Sequence, residues 1–141
     1  MLALGAEILS KTSKGDADTL IKLYEMAMTG DNRKALMWWW NHPPVKTYAD
    51  FKKKYPPDSE GYMNFVALGG FFEQLGVLAY YGLIHKEAVM DMYALLWEKS
   101  EPIVKGIQKE RGRGVFENWE WLAKEKAKWL KTRPPKFPDE K

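Results

Sequence analysis

The sequence predicts an all-α fold, a single-domain bundle of about five helices with a long central apolar helix and an antiparallel helical hairpin. Three observations lead to this prediction. Apolar residues recur at spacings of three and four along most of the chain, which is the period of an α-helix. Residue types that begin or end helices bound these apolar runs. No useful length of sequence alternates with period two between hairpin turn signals, so nothing indicates a sheet.

The composition favours one folded domain. The 141 residues can bury a sizeable core, and neither an internal repeat nor a long linker divides them. Aromatic residues make up 14% of the chain and the formal net charge is only +3, whereas disordered chains have few aromatic residues and a large net charge. We therefore expect residues 1–141 to form a single domain, with residues 1–10 and 133–141 frayed or peripheral.

End signals predict the first three helices. The first helix follows the acidic stretch at Asp16 and closes at Gly30, a residue suited to a left-handed cap. The second helix must stop before Pro43, because a proline pair cannot continue it. The third helix is short and begins at a capping box formed by Thr47 and Asp50.

A long apolar helix is predicted next, capped by Ser59 and running to about Tyr81. Between residues 61 and 84 the only charged side chain is Glu73, so the length alone would permit a membrane span. A carboxylate near the centre of such a span would cost about 2.5 to 3.5 kcal/mol on insertion. We therefore expect this helix to be buried in protein and not in a membrane. Gly69 and Gly76, seven positions apart on it, are expected to form a groove of small residues where a second helix approaches closely.

The helical hairpin is predicted to turn at Gly82, which can adopt the positive φ that ends a helix. The following helix begins near Lys86, and its apolar stripe keeps its spacing through Pro102 as far as Ile107. We expect one long helix kinked at Pro102. Two helices that meet at Pro102 are the alternative.

The last helix is predicted from Phe116 to about Thr132 and holds the only local excess of charge. Residues 123–141 contain seven basic and three acidic side chains. This surface could bind nucleic acid or an anionic membrane surface, or it could be a solvated face that complements the negative end of the helix dipole. The candidate anion-binding residues are Lys124, Lys128, Lys131 and Arg133.

Several short motifs resemble one known helical family. They are Phe71-Phe72-Glu73, Leu75-Gly76, Gly82-Leu83-Ile84, Trp97-Glu98, Pro102-Ile103 and Phe116-Glu117-Asn118 with Trp121-Leu122. Through them the region of residues 59–130 resembles the family catalogued as domain of unknown function 4760, whereas residues 1–58 carry no part of the resemblance. The resemblance implies an all-helical bundle, which in some relatives is attached to a membrane segment. It implies no activity, cofactor or catalytic residue.

Glu73 is the residue of the apolar helix with the clearest chemical potential. At helical spacing its neighbours are glycines and apolar side chains, so its carboxylate must find hydrogen bonds or a cation, or else become neutral. A structural role would have it accept from an indole, a hydroxyl or an arginine and so order the bundle. A functional role would make it the anchor of a small-ligand or hydrolytic site. The ligand-pocket candidates are Glu73, Tyr80 and Trp97.

Metal and cofactor chemistry is not expected. The chain has no cysteine, and His42 and His85 are its only imidazoles. Di-metal helical bundles use Glu-x-x-His motifs, which are absent, as are a phosphate-binding glycine loop and a nucleophile elbow. We therefore expect no metal, no cofactor and no catalytic residue, and an enzyme is the less favoured interpretation.

The lack of cysteine also fits a reducing compartment. The apolar run from Met1 to Ile8 has neither a preceding basic residue nor a convincing cleavage pattern after it, so no signal peptide is expected. Together these features favour a cytoplasmic location.

The candidate interface residues are Trp38, Trp39 and Trp40. Three successive helical positions sweep about 200° around the axis, so the three rings cannot all face one core. Either a neighbouring segment covers the outer ring, or at least one tryptophan is exposed as an anchor for a partner. Self-association is the form of contact that we favour.

These observations make a small helical protein that acts through contacts with a protein partner or with itself the favoured interpretation. The first alternative is binding to nucleic acid or to an anionic membrane surface through the basic last helix. The second alternative is a small-ligand or hydrolytic site around Glu73.

Overall fold

The computed structural model describes residues 14–139, and seven α-helices account for all the regular secondary structure in that part of the chain. The helices are α1 (Lys14–Ala27), α2 (Gly30–Trp40), α3 (Tyr48–Lys54), α4 (Glu60–Tyr80), α5 (Lys86–Met92), α6 (Trp97–Arg111) and α7 (Glu117–Thr132). The all-α prediction is confirmed, but the expected number of about five helices is wrong. The interpretations of Met1 to Ile8 and of residues 1–10 lie outside the described residues.

Side chains at the N-cap positions of three helices accept hydrogen bonds from the first turn of the helix. Thr47 Oγ1 accepts from the backbone N–H of Asp50 at 3.1 Å, and Ser59 Oγ accepts from that of Tyr62 at 3.3 Å. Both caps were predicted. His85 is a third cap, since its Nδ1 accepts from the backbone N–H of Ala88 at 3.2 Å. A cap of this kind satisfies one of the N–H groups that a helix start leaves without an intrahelical partner.

Helix α4 supplies ten buried residues and packs mainly against α7 and α2. Two of its glycines let the beginning of α7 approach closely. A Cβ atom at Gly76 would lie 2.3 Å from the carbonyl oxygen of Asn118, and one at Gly69 would lie 2.7 Å from the ring of Phe116. The predicted close approach of a second helix along Gly69 and Gly76 is therefore confirmed.

The helix expected from Lys86 through Pro102 is interrupted, but not at the proline. It divides into α5 and α6 at Tyr93–Leu96, where Tyr93 is extended and Leu96 adopts left-handed φ and ψ of 51° and 33°. Helix α6 continues through Pro102, so the two helices do not meet there. The expectation of one continuous helix from Lys86 and the alternative of two helices that meet at Pro102 are therefore both wrong.

Side-chain donors satisfy the backbone carbonyls at this interruption, two of them from α7. The indole Nε1 of Trp119 donates to the carbonyl of Leu95 at 3.0 Å, and Lys126 Nζ donates to that of Tyr93 at 2.6 Å. Ser100 Oγ donates to the carbonyl of Leu96 at 2.5 Å. Because buried carbonyls need partners, these donors stabilise the break between α5 and α6.

None of the helices within residues 14–139 combines the length and the apolar character that a membrane span requires.

Candidate functional site

Glu73 caps a neighbouring helix. Its Oε2 accepts from the backbone N–H of Trp119 at 2.9 Å, while its Oε1 accepts from the backbone N–H and the side-chain Nδ2 of Asn118 at 3.3 and 2.8 Å. A carboxylate at a helix N-terminus is stabilised by the helix dipole as well as by these bonds. The donors expected for its structural role, an indole, a hydroxyl or an arginine, are replaced here by the first turn of α7.

The other two candidates for a pocket at Glu73 take part in different contacts. Tyr80 is 56% exposed and its ring meets that of Trp121 edge-on at 5.1 Å. Trp97 packs against the ring of Trp119 at 5.4 Å and donates from Nε1 to Glu101 at 2.7 Å. Tyr80 and Trp97 therefore line separate surface grooves.

The three successive tryptophans have three different environments. Trp39 is fully buried, and its Nε1 donates to Ser100 Oγ at 2.8 Å across the core. Trp38 is half-buried and lies edge-on to the ring of Tyr55 at 5.3 Å. Trp40 is 54% exposed. The geometric argument that the rings cannot all face one core is confirmed, and Trp40 is the one available for an outside contact.

Glu120 is the most strongly engaged acidic side chain among the described residues. It is 2% exposed and accepts hydrogen bonds from four side chains. Lys105 is the closest donor, with Arg113 at 2.6 Å, Lys124 at 2.9 Å and Gln108 at 3.2 Å. Burial raises the pKa of Glu120, but the hydrogen bonds from Lys105, Lys124 and Gln108 outweigh burial and lower that pKa to about 2.

This cluster was missed at the level of the sequence. Its members come from α6, from the connector after it and from α7. The one local signal in the sequence is that Glu120 and Lys124 lie four positions apart on the same helix. With four donors on two oxygens, the carboxylate is suited to holding these segments together. It has little capacity left for proton transfer.

The candidate anion-binding residues are largely paired with acidic side chains. Lys124 contacts Glu120, and Lys128 lies 3.4 Å from Glu125. The guanidinium of Arg133 lies 3.8 Å from Asp91 and packs over the ring of Trp129 at 4.9 Å. Lys131 is exposed in the last turn of α7. The structure thus places the four cations along one helix and its end, with acids interleaved between them.

Aromatic side chains form an exposed corner where α4 ends. We call this surface the aromatic corner and define it by Tyr80, Tyr81, Leu83 and Trp121. Tyr80, Tyr81 and Leu83 are 56%, 70% and 64% exposed. The ring of Tyr80 lies 5.1 Å from both that of Tyr81 and that of Trp121. Gly82 has the predicted positive φ, 70°, which turns the chain here.

A cavity of about 190 Å³ opens on another side of the molecule, between α1, α2, α4 and the interruption after α5. We call it the Tyr93 cavity. Among the described residues that line it, all are apolar apart from Asn32 and the two tyrosines, and none carries a charge. Its lining includes Tyr24, Met28, Leu36, Trp40, Met92 and Tyr93.

The hydroxyl of Tyr93 is buried and has no hydrogen-bond partner, the single such side-chain atom found within the described part of the chain. Burial, with a smaller contribution from Tyr24, raises the pKa of Tyr93 to about 12. The phenol therefore stays protonated at neutral pH. The sequence pattern places Tyr93 on an apolar stripe and gives no signal of this hydroxyl.

Both imidazoles serve in structural contacts. His42 Nδ1 and Nε2 lie 2.7 Å from the carbonyl oxygen of Pro43 and from the hydroxyl of Tyr55, and His85 caps α5. Within residues 14–139, no three histidine, aspartate or glutamate side chains form a group that could hold a metal ion.

Comparison with known proteins finds one family. The family model described as "Domain of unknown function (DUF4760)" matches residues 13–129. The match begins well before residue 59, so the first three helices, which the motif resemblance did not cover, are included in it. No curated protein and no solved structure matches the chain.

Proposed function

The chain belongs to the family described as "Domain of unknown function (DUF4760)", a description that assigns no activity. We propose that it is a non-enzymatic domain that acts through protein contacts at the aromatic corner, with a second copy of the chain as the partner. The observation that carries this proposal is the exposure of Tyr80, Tyr81 and Leu83 by more than half on one corner.

The residue types at the corner suit a protein interface. Tyrosine and tryptophan are enriched among the residues that dominate binding energy, because they bury large areas with few rotatable bonds. Tyr81 is the most exposed of the three; the ring of Tyr80 meets that of Tyr81 edge-on, and the ring of Trp121 meets that of Tyr80 edge-on. A compact group of exposed rings is more costly to leave in water than the same rings scattered singly.

The charges around the corner support a second copy as the partner. Lys86 and Glu87 lie on one side of Tyr80 and Trp121, and Arg113 and Glu117 lie on the other. In a two-fold interface each surface meets its own copy, so a surface with both signs of charge can pair with itself. A surface with a single sign would repel its copy.

The hydrogen bonds of Glu73 and Glu120 support a non-enzymatic role. Glu73 accepts three hydrogen bonds at the start of α7, and Glu120 accepts from four side chains. Both are committed to contacts that stabilise the bundle. The hydrolytic alternative at Glu73 would require it to release the first turn of α7.

The nucleic-acid and anionic membrane alternative has less support. Lys124, Lys128 and Arg133 contact acidic side chains, so an incoming phosphate would compete with an internal carboxylate at each position. If this alternative were correct, binding to a single-stranded oligonucleotide or to phosphatidylserine vesicles would weaken steeply as salt is raised.

Sedimentation velocity over a wide concentration series tests the self-association. We expect the wild-type protein to shift from monomer to dimer as its concentration rises, and Tyr81→Ala to weaken the dimer about tenfold or more, the effect typical of a buried tyrosine anchor. Phe137→Ala is the matched control, because Phe137 is 67% exposed but lies in the tail, away from the corner. A wild-type protein that stays monomeric throughout, or equal effects of Tyr81→Ala and Phe137→Ala, would refute the proposal.

A further inference from the structure

Tyr93 lines the Tyr93 cavity, and the hydrogen-bonding capacity of its hydroxyl is unused. The hydroxyl of Tyr93 is buried without a hydrogen-bond partner, and the residue as a whole is only 6% exposed. Leaving a buried donor unsatisfied destabilises a folded protein, and native structures contain few such atoms. A ligand oxygen that reached this hydroxyl would supply the missing acceptor.

The chemistry of the walls restricts what can enter. Within the part of the chain that the structure describes, the lining contains aromatic rings, aliphatic side chains and two methionines, with no charged side chain to compensate an ionised ligand. Transfer of an unpaired charge into such surroundings is strongly unfavourable. The ligand must therefore be neutral and mostly apolar, with one acceptor for the Tyr93 hydroxyl, whose high pKa keeps it a donor.

The volume sets the size of the ligand. The cavity measures about 190 Å³, and an apolar cavity of roughly 150 Å³ in another protein suffices for benzene. One ring with a short substituent therefore fills it. The walls can also adjust, because Met28 and Met92 line the cavity and methionine side chains are unbranched and flexible.

We propose that the Tyr93 cavity is a binding site for a small, neutral, single-ring aromatic molecule that bears one carbonyl-type oxygen, to which the Tyr93 hydroxyl donates. The ring packs among Tyr24, Leu36 and Trp40, and a rotamer change of Met28 or Met92 brings the oxygen to the hydroxyl. This site lies apart from the aromatic corner, so it stands or falls independently of self-association.

Acetophenone and ethylbenzene form a matched pair of probes, since they share a ring and a two-carbon substituent and differ in the carbonyl oxygen. Each is titrated into ¹⁵N-labelled protein while the Trp40 indole and Ala94 amide resonances are followed. We expect saturable shifts with a dissociation constant on the order of 0.1 to 1 mM for acetophenone. Ethylbenzene should bind about tenfold more weakly, because it leaves the Tyr93 hydroxyl without an acceptor.

Tyr93→Phe removes the donor and keeps the ring. We expect it to weaken acetophenone about tenfold and leave ethylbenzene unchanged, so that the two probes bind equally. Tyr48→Phe is the matched control, because it removes a tyrosine hydroxyl that donates to Glu110 and does not line the cavity, so it should preserve the preference for acetophenone. Tyr93→Phe should also melt at the wild-type temperature or higher, since the hydroxyl makes no bond in the unliganded protein.

Leu36→Trp supplies an independent test, because a larger side chain at this half-buried wall position fills the cavity. It should abolish binding of both probes while the amide spectrum stays dispersed. The proposal is overturned if neither probe gives saturable shifts in the wild-type protein. It is also overturned if the probes bind equally to the wild type, or if Tyr93→Phe keeps the preference for acetophenone.

Discussion

Glu120 illustrates how single residues acquire roles that their chemical type does not reveal. Its carboxylate is 2% exposed and yet ionised, because Lys105, Arg113 and Lys124 surround it. Loss of one member of such a cluster leaves the remaining charges buried or repelling one another. The cluster therefore links α6, its connector and α7 through electrostatics that depend on pH.

The pH dependence of stability should report on Glu120. The pKa of Glu120 falls from its ordinary 4.5 in the unfolded chain to about 2 in the folded protein. Because the pKa is lower in the folded state, ionised Glu120 stabilises the folded protein. This contribution to the unfolding free energy, about 3 kcal/mol in total, is fully present above about pH 4.5 and is lost as the pH falls toward 2. We expect the difference in unfolding free energy between wild type and Glu120→Gln to be largest near neutral pH and to shrink across this range.

Urea denaturation at a series of pH values measures that difference. Glu60→Gln is the control, because Glu60 pairs with Lys34 on an exposed surface where both side chains are more than half accessible. Its removal should change stability little at any pH. A wild-type minus Glu120→Gln difference that stays constant between neutral pH and pH 2 would contradict the assigned role.

At the scale of one residue, the sequence predicted that a side chain needs hydrogen bonds or cover more reliably than it predicted which residues supply them. Glu73 was expected to need hydrogen bonds, and it has them, but its donors are the first turn of α7, more than forty positions away in the chain. The angle between three successive helical positions showed that the three tryptophans cannot share one core. Only the packed structure decided that Trp39 is buried and Trp40 exposed.

At the scale of elements, the interruption between α5 and α6 has a tertiary cause. Tyr93 and Leu95 are both buried while Ala94 between them is exposed, and this alternation requires an extended segment. Trp119 and Lys126 donate to the carbonyls that the interruption leaves unpaired. The local sequence consists of residues compatible with a helix, so the apolar stripe was extrapolated through it.

Pro102 is tolerated inside α6 for a related reason. A proline removes the hydrogen bond to the carbonyl four residues earlier, which here belongs to Glu98, an exposed residue near the start of the helix. Water can satisfy that carbonyl. Proline was the strongest local signal for a break, but the position of the break depends on where buried carbonyls find donors.

The contact between α4 and α7 should be sensitive to a single methyl group. Gly76→Ala places a Cβ 2.3 Å from the carbonyl oxygen of Asn118, which is too close for two non-bonded atoms. The helices must separate, which we expect to lower the unfolding free energy by about 1 to 3 kcal/mol. Chemical denaturation followed by far-UV circular dichroism measures the loss.

Gly70→Ala is the matched control on the same helix. Gly70 is exposed and no atom would lie within 4 Å of an added Cβ. Alanine favours a helix over glycine by about 0.5 to 1 kcal/mol, so this variant should be more stable than the wild type. Equal effects of the two substitutions would show that the close approach at Gly76 is not what limits stability.

At the scale of the whole molecule, one contiguous hydrophobic cluster joins the described helices. It extends from Leu20 in α1 to Ala123 in α7, and Trp39, Phe65 and Trp119 lie fully buried within it. Aromatic rings meet edge-on through this region, such as Trp39 with Phe65 at 5.3 Å. Because all seven described helices share this core, none of them could bury its apolar face alone.

Unfolding should therefore be one cooperative transition. We expect tryptophan fluorescence and far-UV circular dichroism to report the same midpoint in guanidinium chloride, as in two-state unfolding of small domains. Gly76→Ala should move both curves together. Two separated transitions, or a shift of one probe alone, would indicate that the chain divides into independent units and would contradict the single-domain prediction.

The sequence by itself determined the helical class, the caps at Thr47 and Ser59, the turn at Gly82 and the close approach along Gly69 and Gly76. Each of these depends on interactions within a few residues or on the absence of a side chain, so it is visible locally. Tertiary structure alone decided the break at Tyr93–Leu96, the environment of Glu120 and the unpartnered hydroxyl of Tyr93. These depend on which distant donors reach a buried acceptor, and burial makes such pairings or their absence energetically important.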